Sequence, residues 1–512
     1  MAPDGEKVCA KAGRTRTLPI ALATNASWRH LSAMTHRFET LGPTYQPDPR
    51  FAGLGGDYAD PVAPADFPQA TIRFRNQAAA GTVGLAGLTE TDWIAAFARF
   101  EPLPGNQAQP LAMRYHGHQF GVYNPELGDG RGFLYAQLRE AGTGRLLDLA
   151  TKGSGRTPWS RSGDGRLTLK GGVREVLATA MLEAQGVPTS RSFSLIETGE
   201  PLQRNDEPSP TRSAVLTRLS HSHIRFGTFQ RHAYLQRPDL IVRLIDHVGE
   251  VYDPAILTVE GDGPRALAFL AGVTARAAQL AARWMAAGFV HGVLNTDNMS
   301  ITGESFDYGP YRFLPRNDPN FVAAYFDQQG LYRFGRQPQA VLWNLKQLAG
   351  CLIGLADEAD LAEVLNTYAG AYRDGLCTAM FARLGIRRRD EASDLDLVNT
   401  VFQALGAGDE SLRWEPFFFD WFGGAASEAR ALAGPRGALY AKPEFVALRQ
   451  ALGAFEPDRP ERLAHAYFDV PEPQELLIEE IEQIWSGIAQ QDDWTAFEAK
   501  LAAIEQMRAA LA

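Results

Sequence analysis

The stretch HGVLNTDNMSITGESFDYGP (291–310) follows directly on ALAFLAGVTARAAQLAARWMAAG (266–288), a long helical pattern that ends at Gly288. His291, Asp297 and Asn298 share one loop, and Asp307 sits in an acidic turn just beyond it. A chain that keeps these groups in register needs a scaffold holding two short polar segments together. Upstream, from about 45 to 165, the sequence is dense in Gly, Pro and Asp, with short apolar runs such as FLYAQL (133–138) and LLDLATK (146–152). That texture predicts short strands joined by tight turns. GGVREVLATAMLEAQGVP (171–188) sets Val173, Val176, Leu177, Ala180, Met181 and Ala184 at helical spacing and closes on Gly186 and Pro188. Strand patterns return at SFSLIETG (192–199) and AVLTRL (214–219). Beyond 235 the chain reads as mostly helical, and it ends in two amphipathic segments, ELLIEEIEQIW and WTAFEAKLAAIEQM.

The polar loop is spelled like the catalytic loop and metal-binding segment of a protein kinase. With His291 and Asn298 setting the register, Asp307-Tyr308-Gly309 falls where a kinase has DFG. The position of the kinase base is taken by Val293. Lys152 closes a strand-like run and Glu175 lies in the helix that follows, the order in which a kinase sets its phosphate-binding lysine and the glutamate that orients it. Alone, Lys152 and Glu175 read as two surface charges. In sequence order with Asn298 and Asp307 they predict a two-lobed, kinase-like α+β fold: a mainly β N-lobe, a mainly α C-lobe and extra terminal helices.

The segments placed to meet phosphate differ from a kinase. No GxGxxG precedes Lys152; instead there is GDGRG (128–132), and after the lysine GSGRTPWSRSGDGR (153–166). Glycines let a backbone approach an anion, and arginine offers a fixed fork of donors. Arg131, Arg156, Arg161, Arg166, Arg218 and Arg225 together exceed what one ATP in a kinase needs, and as a set they predict an anion cradle rather than solvated turns.

Bulk properties limit the rest. The 512 residues are enough for two or three structural units. A formal charge of −10 argues against nucleic acid as a partner, and the absence of a long apolar run argues against a membrane span. Cys9, Cys351 and Cys377, widely spaced, build neither a disulfide framework nor a thiolate zinc site and suit a reducing compartment. LPIALA (18–23) is short for a secretory signal, so the expectation for the N-terminus is a flexible extension, or a start at Met34. His116, His118, His221 and His223 are expected to be structural, Trp343 and Asn344 to anchor a helix below the site, and Cys351 and Cys377 to be buried thiols.

Taken together, HGHQFG (116–121) with LGDGR, KGSGRTPWSRSGDGR (152–166), REVL, GVPTSRSFSLIETGE, LTRLSHSHIRFGTFQ, GFVHGVLNTDNMSI, FDYGP and RQPQAVLWNL (336–345) resemble the selenoprotein O family. These are kinase-fold proteins that transfer AMP to protein hydroxyls. The blocks run in family order from about 40 to 350, and beyond about 430 the likeness is weak. The resemblance implies ATP bound in flipped orientation, its γ-phosphate buried and its α-phosphate presented to the acceptor. It implies that Lys152, held by Glu175, contacts the inverted phosphates and that Arg218 and Arg225 grip the terminal one. Gly128, Gly130, Arg131, Asp164 and Gly165 complete the nucleotide pocket, Asn298 and Asp307 hold Mg2+ or Mn2+, and Asp297 is the base. Ser162 stands where the family often has a second arginine. No cysteine follows Cys377, so the family's C-terminal redox residue is not carried over.

The expected reaction is AMP transfer from ATP to Ser, Thr or Tyr of protein substrates, including the enzyme itself, with release of pyrophosphate. UMP transfer from UTP, a non-catalytic ATP-binding scaffold, and a true kinase using Asp297 as base are the alternatives. The expected organisation is an extension over 1–40, an N-lobe over 41–215, a C-lobe over 216–430 and a helical extension over 431–512. The expectation is a monomer, cytoplasmic in a bacterium or mitochondrial in a eukaryote, with no nucleic-acid or membrane partner.

Overall fold

A computed structural model describes residues 38–161, 164–204 and 207–512. Its first half is built from β1 (Ala59–Pro61), β2 (Thr71–Arg75), β3 (Leu111–Met113), β4 (Gly117–Gln119), β5 (Val122–Asn124), β6 (Leu134–Arg139), β7 (Leu146–Lys152), β8 (Leu167–Thr168), β9 (Arg191–Leu202) and β10 (Thr211–Ser220). Eight of these form one antiparallel sheet in the order β1-β3-β6-β7-β10-β9-β2, with β8 against β10, while β4 and β5 make a separate hairpin. LLDLATK is buried along its whole length because β7 lies between β6 and β10. Its one acid, Asp148, is matched there by the backbone N–H of His223 (2.8 Å) and the amide of Gln137 (2.7 Å). β10 pairs Leu216 with Lys152 and Arg218 with Ala150. Strand alternation therefore places Lys152 and Arg218 on the same face of the sheet.

Helix α1 (Leu169–Ala184) starts where the Thr168 hydroxyl accepts the N–H of Gly171 (3.1 Å), and buries Val173, Val176, Leu177 and Met181 as the spacing predicts. In the second half, α2 (Phe226–Tyr234), the 25-residue α3 (Asp262–Ala286), α4 (Gln337–Gly350) and α5 (Tyr368–Leu384) pack around Phe269, Leu270, Val273 and Trp284. A turn at Gly288, with φ of +62°, directs the chain from α3 into β11 (Phe289–Val290), which pairs with β12 (Arg312–Phe313). A Cβ there would lie 2.6 Å from the Trp414 indole, so both conformation and space call for glycine.

The last two helices, α6 (Ile478–Gln491) and α7 (Thr495–Leu511), return to the sheet half and pack on α1. Lys170 on α1 pairs with Glu482 (2.7 Å), and Asp492 between the two helices meets Arg212 (2.7 Å) and Arg73 (3.1 Å). The terminal helices therefore brace the helix that carries Glu175. The fold is α+β and kinase-like, with a mainly sheet N-terminal part and a helical C-terminal part. Thr40–Ala512 make one compact unit. The lobe boundary expected at 215/216 falls inside β10, and the extension expected over 1–40 lies, as far as residue 37, outside the described residues, as do Cys9 and Ser162. Among the described residues no helix is long and apolar enough to cross a membrane.

Candidate active site

Lys152, at the end of β7, places its amine 2.9 Å from Glu175 Oε2 on α1 and 2.8 Å from Asp307 Oδ1. Arg218, from the neighbouring strand, lies 3.5 Å from Glu175 Oε1 and 3.8 Å from Asp307 Oδ1. Two cations and two carboxylates thus share one cluster, with Glu175 fully excluded from solvent and Asp307 partly open to it. Burial alone would raise the Asp307 carboxyl, but Lys152, Arg131 and Arg218 hold it well below the usual carboxylate range. Asp307 has φ of +64°, a left-handed conformation that a non-glycine residue adopts at a cost, and one often found at functional turns.

The opposing wall is the loop from β11. His291 is buried, with Nε2 2.9 Å from the Phe306 carbonyl, which ties the loop to the segment ending in Asp307. Asn298 donates its amide to the carbonyl of Val293 (2.9 Å), leaving Oδ1 for a ligand. Thr296 accepts the backbone N–H of His118 (2.7 Å) and donates to Gln230 (2.6 Å), whose amide meets His118 Nδ1 (2.7 Å). Asp297 is nearly buried, and its Oδ1 has no hydrogen-bond partner among the described residues. Burial raises its carboxyl to about 6 against the opposing pull of Arg225. The β4–β5 hairpin closes over it: a Cβ on Gly117 would lie 3.2 Å from Asp297 Oδ1. His116 and His118 are both engaged in hydrogen bonds, His116 with Tyr123 (2.8 Å) and Arg231 (3.0 Å).

Arg225 begins α2, donates to the Asp297 carbonyl (2.9 Å), and lies between the rings of Tyr115 (4.4 Å) and Phe306 (4.9 Å). Its Nε, together with Nε and Nη1 of Arg218, has no hydrogen-bond partner among the described residues, although both arginines are almost completely buried. Unmatched buried donors cost on the order of 1–3 kcal/mol each, so these guanidiniums are suited to receive an anion.

A Cβ on Gly128 would meet the Trp159 ring at 2.4 Å, and one on Gly130 the Trp159 carbonyl at 2.6 Å. These glycines let 128–130 lie close against Trp159 and Ser160, so this part of the pocket wall is itself two packed segments. Gly165, with φ of +82°, makes a turn against Gly155. Asp164 draws Arg131 (3.5 Å) and Arg161 (3.7 Å) together at the rim, while Arg166 is paired with Glu200. Arg156 does not line the cleft.

Lys152, Arg218, Arg225, Asp297, Asn298 and Asp307 all border one cleft of about 830 Å3, as do Gly128, Gly130, Arg131 and Asp164; Gly165 and Glu175 lie just behind its wall. Its lining also includes Asp129, which burial pushes up to about 6, and Arg174, which contacts the Gly309 carbonyl (3.3 Å). Both went unnoticed in the sequence, although each adjoins a residue that was singled out. His221 and His223 do not border the cleft, Trp343 meets His118 edge to face (5.2 Å between ring centres), and Asn344 donates to the Leu294 carbonyl (2.9 Å) beneath the loop. An amide oxygen and an ionised carboxylate facing a cleft rich in arginine suit a hard divalent cation carried with a polyphosphate, which would supply the remaining oxygens.

A family model described as Protein adenylyltransferase SelO matches residues 43–505. The similarity therefore continues well past 430, where the motif blocks suggested that it fades. The chain is similar to a protein nucleotidyltransferase YdiU of Synechocystis sp., at 43% identity over 481 residues covering 91% of this chain and 98% of that relative. The YdiU protein of Synechococcus elongatus is 51% identical over 362 residues, 70% of this chain and 72% of its own. That of Vibrio cholerae is 40% identical over 356 residues, 70% and 71% of the two chains.

Proposed function

The chain belongs to the SelO family of protein adenylyltransferases and is a protein nucleotidyltransferase; from that premise we propose that it transfers AMP from ATP, bound with its γ-phosphate innermost, to Ser, Thr or Tyr hydroxyls of proteins and of itself. The observation that carries this reading is the pair of buried, under-satisfied arginines, Arg218 and Arg225, beside Lys152. A kinase must release its γ-phosphoryl group, and guanidiniums clamped on that group would oppose transfer. A nucleotidyltransferase gains from the same clamp, because charge grows on the departing pyrophosphate.

In this mechanism the acceptor oxygen attacks the α-phosphorus, the bond from that phosphorus to the bridging oxygen breaks, and pyrophosphate leaves. Asp297 takes the acceptor proton; its Oδ1, without a hydrogen-bond partner among the described residues, is the atom available for it. Lys152, fixed by Glu175, and the two arginines hold the leaving phosphates. Asn298 and Asp307 would hold Mg2+ or Mn2+, which when bound neutralises charge at the reacting phosphate. Arg131 and Asp164 border the nucleotide at the rim. Val293 needs no catalytic part, because the reacting phosphorus lies elsewhere than in a kinase.

ATP labelled at the α-phosphate is expected to mark protein, and ATP labelled only at the γ-phosphate to leave it unmarked; Asp297→Ala should remove the α-label with little effect on ATP binding. Val293→Asp should not introduce γ-labelling. Incorporation of γ-label without α-label would make the protein a kinase. Binding of ATP and metal without either label would leave the scaffold, and stronger labelling from α-labelled UTP would change the nucleotide.

Turnover is also expected to be indifferent to dithiothreitol. Cys351 and Cys377 are buried, and burial raises both thiols, that of Cys351 to about 12, so neither is a ready thiolate. A reversible activation by reductant that is lost in Cys351→Ser or Cys377→Ser would contradict this.

A further inference from the structure

The cleft has a second chemical character on the side of the β11 loop. Phe120, Tyr325 and Phe326 border it and are 37%, 84% and 47% exposed, although large aromatic rings are normally covered. They form a continuous rim: Phe120 and Phe326 lie 5.8 Å apart between ring centres, and Tyr325 and Phe326 5.1 Å. Asn295, two residues before Asp297, fixes the rim to the loop. Its Oδ1 accepts the backbone N–H of Phe120 (3.0 Å) from the tip of the β4–β5 hairpin and the hydroxyl of Tyr332 (2.8 Å), whose ring packs 5.0 Å from Phe120. Two segments far apart in sequence are thereby held at a set position beside the carboxylate that faces the acceptor.

We propose that this rim docks the acceptor polypeptide by binding one large apolar or aromatic side chain within two residues of the modified hydroxyl. The inference rests on the protein-nucleotidylation reading given above. Phosphates have no use for exposed rings, and the buried cations that suit them, Lys152, Arg218 and Arg225, are separate from the rim. A rim tied to Asn295 moves with Asp297, so an apolar neighbour seated on it places the acceptor hydroxyl against the same carboxylate each time. The rim is open, which suits an extended segment with one anchoring side chain.

The test uses the full-length enzyme, α-labelled ATP and three peptide pairs. Each pair carries a single Ser, Thr or Tyr, flanked by phenylalanine and leucine in one member and by glutamine in the other. The apolar member is expected to have about tenfold higher kcat/KM. In Phe120→Ser/Tyr325→Ser/Phe326→Ser the two members should become equal, with KM for ATP changed by no more than about twofold. Because Phe120 also packs on Tyr332, Tyr325→Ser serves as a second variant. Its ring is mostly in solvent, and it alone should reduce the preference about threefold. Equal labelling of both members by the unaltered enzyme, or a preference that survives in the triple variant, overturns the proposal. A raised KM for ATP with unchanged KM for peptide would make the rim a nucleotide subsite instead. Labelling of the enzyme itself but of neither peptide also defeats the rim while leaving AMP transfer intact. No α-label anywhere defeats both.

Discussion

Asp307→Ala is expected to lower nucleotidyl transfer by about a thousandfold or more, with the fold retained. Asp307 is the point where the site's cations converge: Lys152 lies 2.8 Å from its Oδ1 and Arg218 3.8 Å. Losing it removes one of the two protein oxygens proposed to hold the metal, and with it most of the charge neutralisation at the reacting phosphate. Asp307→Asn is the sharper comparison, because asparagine tolerates the left-handed φ of +64° and preserves shape while deleting the charge. Both variants should show unaltered circular dichroism, and both should be nearly inactive in the α-label assay. An asparagine variant with more than about a tenth of normal turnover would remove Asp307 from the metal site.

Glu175→Gln is expected to be the most destabilising conservative change in the cleft, by about 3–5 kcal/mol. Glu175 is fully buried and sits 2.9 Å from the Lys152 amine and 3.5 Å from Arg218. Without its charge, two buried cations share only Asp307. The cost arises from stranding those cations, so it should shrink when ATP and Mg2+ are added and the phosphates supply the missing charge. Thermal unfolding with and without nucleotide measures both effects. A melting temperature unchanged by the substitution would mean that water already solvates the cluster, and a loss equally large with nucleotide present would mean that the triphosphate does not lie against Lys152.

Much of this was open to reading along the chain. The strand ending in Lys152, the helix carrying Glu175 and the long helix before the HGVLNTDN loop follow from local spacing of apolar residues, and all three stand where that spacing puts them. The order of Lys152, Glu175, Asn298 and Asp307 was equally legible, because a linear order needs no knowledge of contacts. Pairing was not. How fully an arginine is engaged depends on what folds up beside it: Arg166 is taken by Glu200, Arg131 and Arg161 share Asp164, and Arg218 lies 3.5 Å from Glu175, yet Arg218 and Arg225 are buried with donors that have no hydrogen-bond partner among the described residues. The glycines of GDGRG border the cleft as their place in the chain suggests, but that Gly128 and Gly130 also leave the space Trp159 occupies could not be read from spacing.

The sequence by itself determined the chemical inventory of the site and the elements that carry it, since helical and strand periodicity and the order of polar residues are local properties. Only the tertiary structure decided how those groups are arranged. The terminal helices close back on α1 through Lys170–Glu482 and Asp492 with Arg212 and Arg73, and Asn295 joins the hairpin tip to the ring of Tyr332. Most of these contacts link residues 175 to 419 positions apart, and burial rather than spacing determines whether a charge there is neutralised or left to receive a ligand.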